Sequence, residues 1–309
     1  MKKWLSLGTV LFVPVLALGQ AANSQSERQD LSTTGEPPML GIHWAHGFDP
    51  SPRAHEAHGH GGGGSALMTY HGGKIMTTAI TKNIFWGTSW NPDPAVSDKI
   101  TGLDAWYLGF TNSNYAKTSD EYTGSNGQVG PTTSHLGYVV DPTQSSGGGS
   151  TSAILAEVCK MITPDSSGNG YYSVYSATKR GRANYCAYHS SGSCGGKPVQ
   201  FAFFFNLDGD AGCDPQDTSG QHSQGLAALA NVSGHELSEA RSDPASPGAW
   251  YDASGAENGD KCAWTFNVPL VTFSNGTQWK IQGEWSNAAY TAGTGYPNSS
   301  GQRGCLSGK

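Results

Sequence analysis

The chain has 309 residues, with 18 Lys and Arg against 24 Asp and Glu, a formal net charge of -6 and only 14% charged residues. It carries no basic block, which argues against a nucleic-acid surface. Its 43 glycines, nine tryptophans and thirteen tyrosines describe a loop-rich, aromatic-rich domain of the kind expected outside the cell.

Lys2 and Lys3 precede an apolar run from Trp4 to Leu18 and small residues from Gly19 to Ala22. That layout predicts a cleaved signal peptide over 1–19, too short for a membrane span. Without Lys2 and Lys3 the formal charge falls from -6 to about -8. No later stretch reaches transmembrane length, and no cysteine stands at the cleavage site to take a lipid. The expectation is a secreted protein, extracellular or periplasmic, with no membrane span. Residues 20–66 read as a disordered His/Gly/Pro-rich tail or pro-segment. They hold Pro37-Pro38, the Gly61 to Gly64 run, and His43, His46, His55, His58 and His60, with few large apolar groups to drive ordering. The sharper alternative for that tail is loose transition-metal binding.

A single α+β domain is expected over 67–309, with a possible division into two lobes around a helix at 223–243. Ile75 to Trp86 reads as a strand, Val96 to Phe110 as a helix, Ser152 to Ile162 as a short helix, and Tyr171 to Ser176 as a strand. Val199 to Leu207 is nearly all apolar and belongs in the middle of a sheet. After Tyr251, Leu270 to Phe273 and Gln278 to Gln282 read as short strands. All six cysteines (Cys159, Cys186, Cys194, Cys213, Cys262 and Cys305) lie in the second half, so export predicts three disulfides stapling that half. Fifteen pairings are open.

The helix from about Ser223 to Arg241 carries the most informative residues. Leu226, Leu229, Ala230, Ser233, Leu237 and Ala240 follow core spacing. At roughly 100° per residue His235 and Glu239 stand about 40° apart on the opposite face. Side chains four apart can share a cation, and zinc accepts imidazole nitrogen and carboxylate oxygen. Gly234-His235-Glu236-Leu237-Ser238-Glu239 is thus a variant of the His-Glu-x-x-His zinc helix, with Glu236 in the general-base position. A solvated polar face on a surface helix is the competing explanation. Candidates for the remaining ligands are Asp243, Glu257 and Asp260. Glu257 is preferred, eighteen residues after Glu239, near the gap at which thermolysin-like enzymes supply a glutamate. Asp260 is its alternative or orienting partner.

Asp208, Asp210 and Asp214 crowd a glycine-containing loop and are calcium candidates; an acidic turn closed by Cys213 is the alternative. His222 and His189 are single histidines with no assigned role. Gly192-Ser193-Cys194 lacks the nucleophile-elbow pattern. A carboxylate pair for glycoside hydrolysis stays open, because its separation is a three-dimensional quantity.

Tyr70-His71-Gly72-Gly73, Ile84-Phe85-Trp86-Gly87, Gly209-Asp210-Ala211-Gly212, His235-Glu236-Leu237-Ser238-Glu239-Ala240, Asp243-Pro244, Trp250-Tyr251 and Glu257-x-x-Asp260-x-Cys262 together resemble the EXORDIUM / phosphate-induced protein 1 family. The resemblance runs patchily from about Tyr70 to Cys262 and implies export, cell-wall association and a shared fold rather than a reaction. Plant members tend to carry asparagine where Asp243 stands.

These readings converge on a zincin-like architecture, a mixed sheet packed on an active-site helix, and on a secreted zinc-dependent endopeptidase. Metal-activated water would attack an extracellular protein or cell-wall substrate with Glu236 as base. The alternative is a non-catalytic cell-wall or glycan-binding protein, stacking sugars on Trp90, Trp279 or Trp285.

Overall fold

In the computed structural model the structure describes residue 1, residues 36–48, residues 66–90 and residues 94–308. The expected signal peptide, apart from Met1, and His55, His58 and His60 lie outside the described residues. The chain is mixed α+β, built on a six-stranded mixed sheet. Its strands are β1 (Ile42–Trp44), β2 (Ala79–Trp86), β3 (Thr133–Asp141), β4 (Gly170–Lys179), β5 (Tyr185–Cys194) and β6 (Lys197–Asn206), in spatial order β1-β5-β6-β4-β2-β3. The pairs β2–β3, β2–β4 and β4–β6 are parallel, and β5–β6 and β1–β5 antiparallel.

The apolar run in β6 has a direct reason. Phe201, Ala202, Phe203 and Phe204 are wholly buried because the strand lies inside the sheet with helices on both faces. β5 turns into β6 through Gly195-Gly196, with φ of 58° and 82°. Two consecutive left-handed residues match the twist of a tight hairpin, and glycine takes that conformation without a Cβ penalty.

Helices α1 (Pro94–Phe110) and α3 (Gln224–Ser242) pack together on one face of the sheet, and α2 (Thr151–Met161) covers the other. Strand alternation sorts the side chains. Ser173 and Tyr175 on β4 turn toward α1 and α3, where Tyr107 Oη lies 2.6 Å from Ser173 Oγ and Tyr175 Oη 2.7 Å from Ser233 Oγ. Ser223 caps α3, its hydroxyl accepting from Leu226 N–H at 3.3 Å.

Every residue of α3 from Gly225 to Ser242 is buried. The surface-helix explanation of its polar face therefore fails: residues 243–308, mostly loops and two- to four-residue strands, cover the side away from the sheet. Disulfides Cys159–Cys194, Cys186–Cys213 and Cys262–Cys305 tie α2 to β5, β5 to the acidic loop, and the two ends of the C-terminal cover. They, and the lack of any described helix long and apolar enough to cross a membrane, are compatible with export.

The expected tail over 20–66 needs correction for residues 36–48. These form β1 and its flanks, with Met39, Ile42, His43 and Ala45 buried. Sparse apolar content misled because the segment borrows its partners. Leu40 N–H donates to His189 O at 2.9 Å and His189 N–H to Gly41 O at 3.1 Å, so the sheet supplies what a local core would have.

Near the end of α3, Arg241 is wholly buried. Its guanidinium donates to Ala116 O at 3.0 Å and Gly130 O at 2.7 Å and stands over Phe110. Burial pushes its pKa down to about 10, and the nearby Glu284 carboxylate is the largest opposing influence. Removing the guanidinium leaves Ala116 O and Gly130 O without their donor. Arg241→Met is expected to cost roughly 2–4 kcal/mol in denaturant unfolding; an unchanged midpoint would contradict this account of the anchor.

Candidate metal centre

Three elements deliver the site. α3 presents His235, Glu236 and Glu239, each wholly buried. β5 presents His189 from the face that Ala187 shares, toward α3. The loop after Tyr251 brings Glu257 and Asp260. Glu239 is the centre of the arrangement. Its Oε1 lies 3.1 Å from His235 Nε2 and accepts from Asp260 N–H at 3.0 Å; its Oε2 lies 3.8 Å from His189 Nε2. His235 Nε2 is 3.7 Å from Asp260 Oδ1, and His189 Nε2 is 3.4 Å from Glu257 Oε2.

Apart from the Asp260 N–H bond, none of these side-chain approaches is a hydrogen bond. His235 Nε2, both ring nitrogens of His189, Glu236 Oε2 and Glu239 Oε2 are buried with no hydrogen-bond partner. Such atoms are costly in a core, and a cation is one partner that would satisfy their lone pairs. Among the described residues, two groups of three can hold a metal ion: His189 with Glu236 and Glu239, and His235 with Glu239 and Asp260.

The electrostatics agree. Burial, reinforced by Asp260 and Glu257, pushes Glu236 well above the usual carboxylate range. Burial, then Asp260, Glu257 and Glu236, does the same to Glu239. Burial holds His235 well below an ordinary imidazole, with His43 and His189 adding to the shift. Without a cation the cluster relieves itself by protonating carboxylates.

Glycines make the room. A Cβ on Gly41 would overlap Glu239 Oε2 and the His189 ring, and one on Gly259 would come within 2.8 Å of His235 Nδ1. The strand β1 therefore closes one wall, and His43 N–H donates to Glu236 Oε1 at 3.2 Å, leaving Oε2 directed inward. The Asp260 side chain keeps 23% of its surface exposed and lines a polar crevice with Ala256, Lys261 and Asn298. Among the residues of the two groups Asp260 alone is part-exposed.

Gln282 sets the protons around His235. Its amide bridges His43 Nε2 at 3.0 Å and His235 Nδ1 at 3.1 Å, and its Nε2 donates to Gly259 O at 2.8 Å. In this setting His235 Nδ1 accepts, so the neutral ring keeps its proton on Nε2. Gly259 O, accepting from the amide nitrogen, fixes that setting, and Gln282 thereby orients the His235 ring.

Of the residues singled out from sequence, His235, Glu236, Glu239, Glu257 and Asp260 come together. Asp243 does not join them: its Oδ1 accepts from Ala249 N–H at 2.8 Å, fixing the chain where it leaves α3. Among the described residues the calcium candidates Asp208, Asp210 and Asp214 form no group of three that could hold an ion. Asp208 lies 3.1 Å from Lys99 Nζ, Asp210 pairs with Arg180 at 2.7 Å, and Asp214 accepts from Gln216 N–H at 2.8 Å. Cations and a turn already claim these carboxylates. His222 stacks on Trp279 and pairs with Asp217. His189, His43, Gln282 and Gly41 had no assigned role. The sequence offered a signal for His189 alone, a histidine two residues after buried Ala187 on one strand face.

Searches of family models, curated proteins and solved structures find no match to this chain.

Gln282→Met removes the group that orients His235. It is expected to weaken zinc binding about 10- to 100-fold in a calorimetric titration. Unchanged affinity would show that Gln282 has no part in the site.

Proposed function

We propose that this chain is a secreted metal-dependent hydrolase, specifically a zinc endopeptidase with a zincin-like active-site helix. One observation carries the reading: His235 Nε2, Glu236 Oε2 and Glu239 Oε2 are buried, unpartnered and gathered on consecutive turns of one helix. A cation bound there would polarise a scissile carbonyl and acidify water. Glu236 supplies the base. Burial raises its proton affinity, which suits a group that takes a proton from water and returns it to the leaving amine. The His43 N–H holds its other oxygen and so fixes which one reacts. The motif likeness to the EXORDIUM / phosphate-induced protein 1 family belongs to the same proposal and supplies export rather than chemistry.

The glycan-binding alternative draws no support from the aromatics that suggested it. Trp90, Trp279 and Trp285 have 2%, 2% and 0% of their surface exposed, so they are core residues.

Glu236→Gln keeps the shape of the side chain and the ligand residues. It is expected to retain bound zinc while lowering the cleavage rate of unstructured peptides by about 10²- to 10⁴-fold. Undiminished cleavage in that variant would remove Glu236 from the base role. A purified wild-type protein that binds no divalent metal would remove the reading altogether.

A further inference from the structure

The ligand atoms form a chain rather than a ring. Asp260 Oδ1 lies 3.7 Å from His235 Nε2, which lies 3.1 Å from Glu239 Oε1; Glu239 Oε2 lies 3.8 Å from His189 Nε2, which lies 3.4 Å from Glu257 Oε2. Donors about 2.0–2.2 Å from one ion stand roughly 3–4 Å from each other. Each histidine–carboxylate step meets that spacing. Yet the two histidines fall in different groups, and the groups share Glu239. The two oxygens of a single carboxylate thus face two separate imidazoles.

Resting on the metal-dependent reading above, we propose that the cluster holds two divalent cations bridged by the Glu239 carboxylate. The outer ion lies within the group of His235, Glu239 and Asp260, and the inner ion within the group of His189, Glu236 and Glu239. A carboxylate that binds one ion through each oxygen suits the roughly 3.5–4 Å separation of two-metal hydrolytic sites.

Two further observations support the inner ion. His189 is wholly buried and neither ring nitrogen has a hydrogen-bond partner, an arrangement a structural histidine does not explain. Charge balance points the same way. Glu236, Glu239, Glu257 and Asp260 carry four negative charges when ionised. One dication leaves two of them uncompensated in a buried site, whereas two dications neutralise all four. Glycine at position 41 is required for the same reason, since any Cβ there would overlap both Glu239 Oε2 and the His189 ring, where the inner ion sits. Glu236 stands at the inner ion, in the group that contains His189 and Glu239.

The test is stoichiometry. Full-length protein stripped with chelator and dialysed against Zn²⁺ should carry two zinc ions per chain by elemental analysis. His189→Gln should carry one. Wild-type protein loaded with Mn²⁺ should give an exchange-coupled electron paramagnetic resonance spectrum. A single zinc per wild-type chain, two zinc ions retained by His189→Gln, or an uncoupled Mn²⁺ spectrum at full loading would overturn the bridged pair. Of these, one zinc with Glu236-dependent cleavage intact would leave the single-ion hydrolase standing. No bound metal at all would overturn both. If His189→Gln does not fold, the wild-type spectrum decides alone.

Discussion

The structure turns on one constraint: ionisable groups placed where water cannot reach them. His235, Glu236 and Glu239 are buried within two turns of α3, against His189 from the sheet and Glu257 from the C-terminal cover. A carboxylate stripped of water must be neutralised, by a proton or by a cation. The raised affinities of Glu236 and Glu239 for protons and the lowered one of His235 express that demand from both sides. A metal ion answers it by accepting the lone pairs that the protein leaves without partners.

The rest of the fold holds these groups in place. α3 lies over β5, β6 and β1, so that Glu236 meets His43 and Glu239 meets His189 from the sheet. Three separate devices then enclose the cluster. β1 adds an edge strand with glycine at the point of closest approach, the loop bearing Glu257 and Asp260 folds over from the other side, and Gln282 pins the His235 ring. The Cys262–Cys305 disulfide ties that loop to the chain's last strand.

The sequence displayed the helix and its His-Glu-x-x-Glu spacing, because both depend only on residues four apart. The apolar strand Lys197–Asn206 and the α1 and α2 helices were equally legible from local periodicity. What was not legible is whatever depends on distant partners. β1 hides in a segment poor in apolar residues, since its order comes from β5, almost 150 positions later. β3 and β5 carry mixed polar sequences that signal a strand weakly. His189 reads as an isolated histidine until the sheet register brings it beside Glu239. Asp243 showed the reverse: right spacing, but its oxygen is spent on the turn at Ala249.

The central claim, that a cation compensates the buried carboxylates, is tested most directly by thermal unfolding with and without chelator above pH 6.5. His43 and His235, whose ordinary value is 6.5 and whose folded values are lower, are neutral when folded and still part-protonated when unfolded just above pH 6.5, so they add an opposing slope that fades about one to two pH units higher. Glu236 and Glu239 bind protons more tightly folded than unfolded, so the metal-free protein should lose stability as pH rises from 6.5 toward their folded values. The metal-loaded protein, with those protons replaced, should lose less and melt higher at every pH. Melting curves that superimpose with and without chelator across the range would contradict the account.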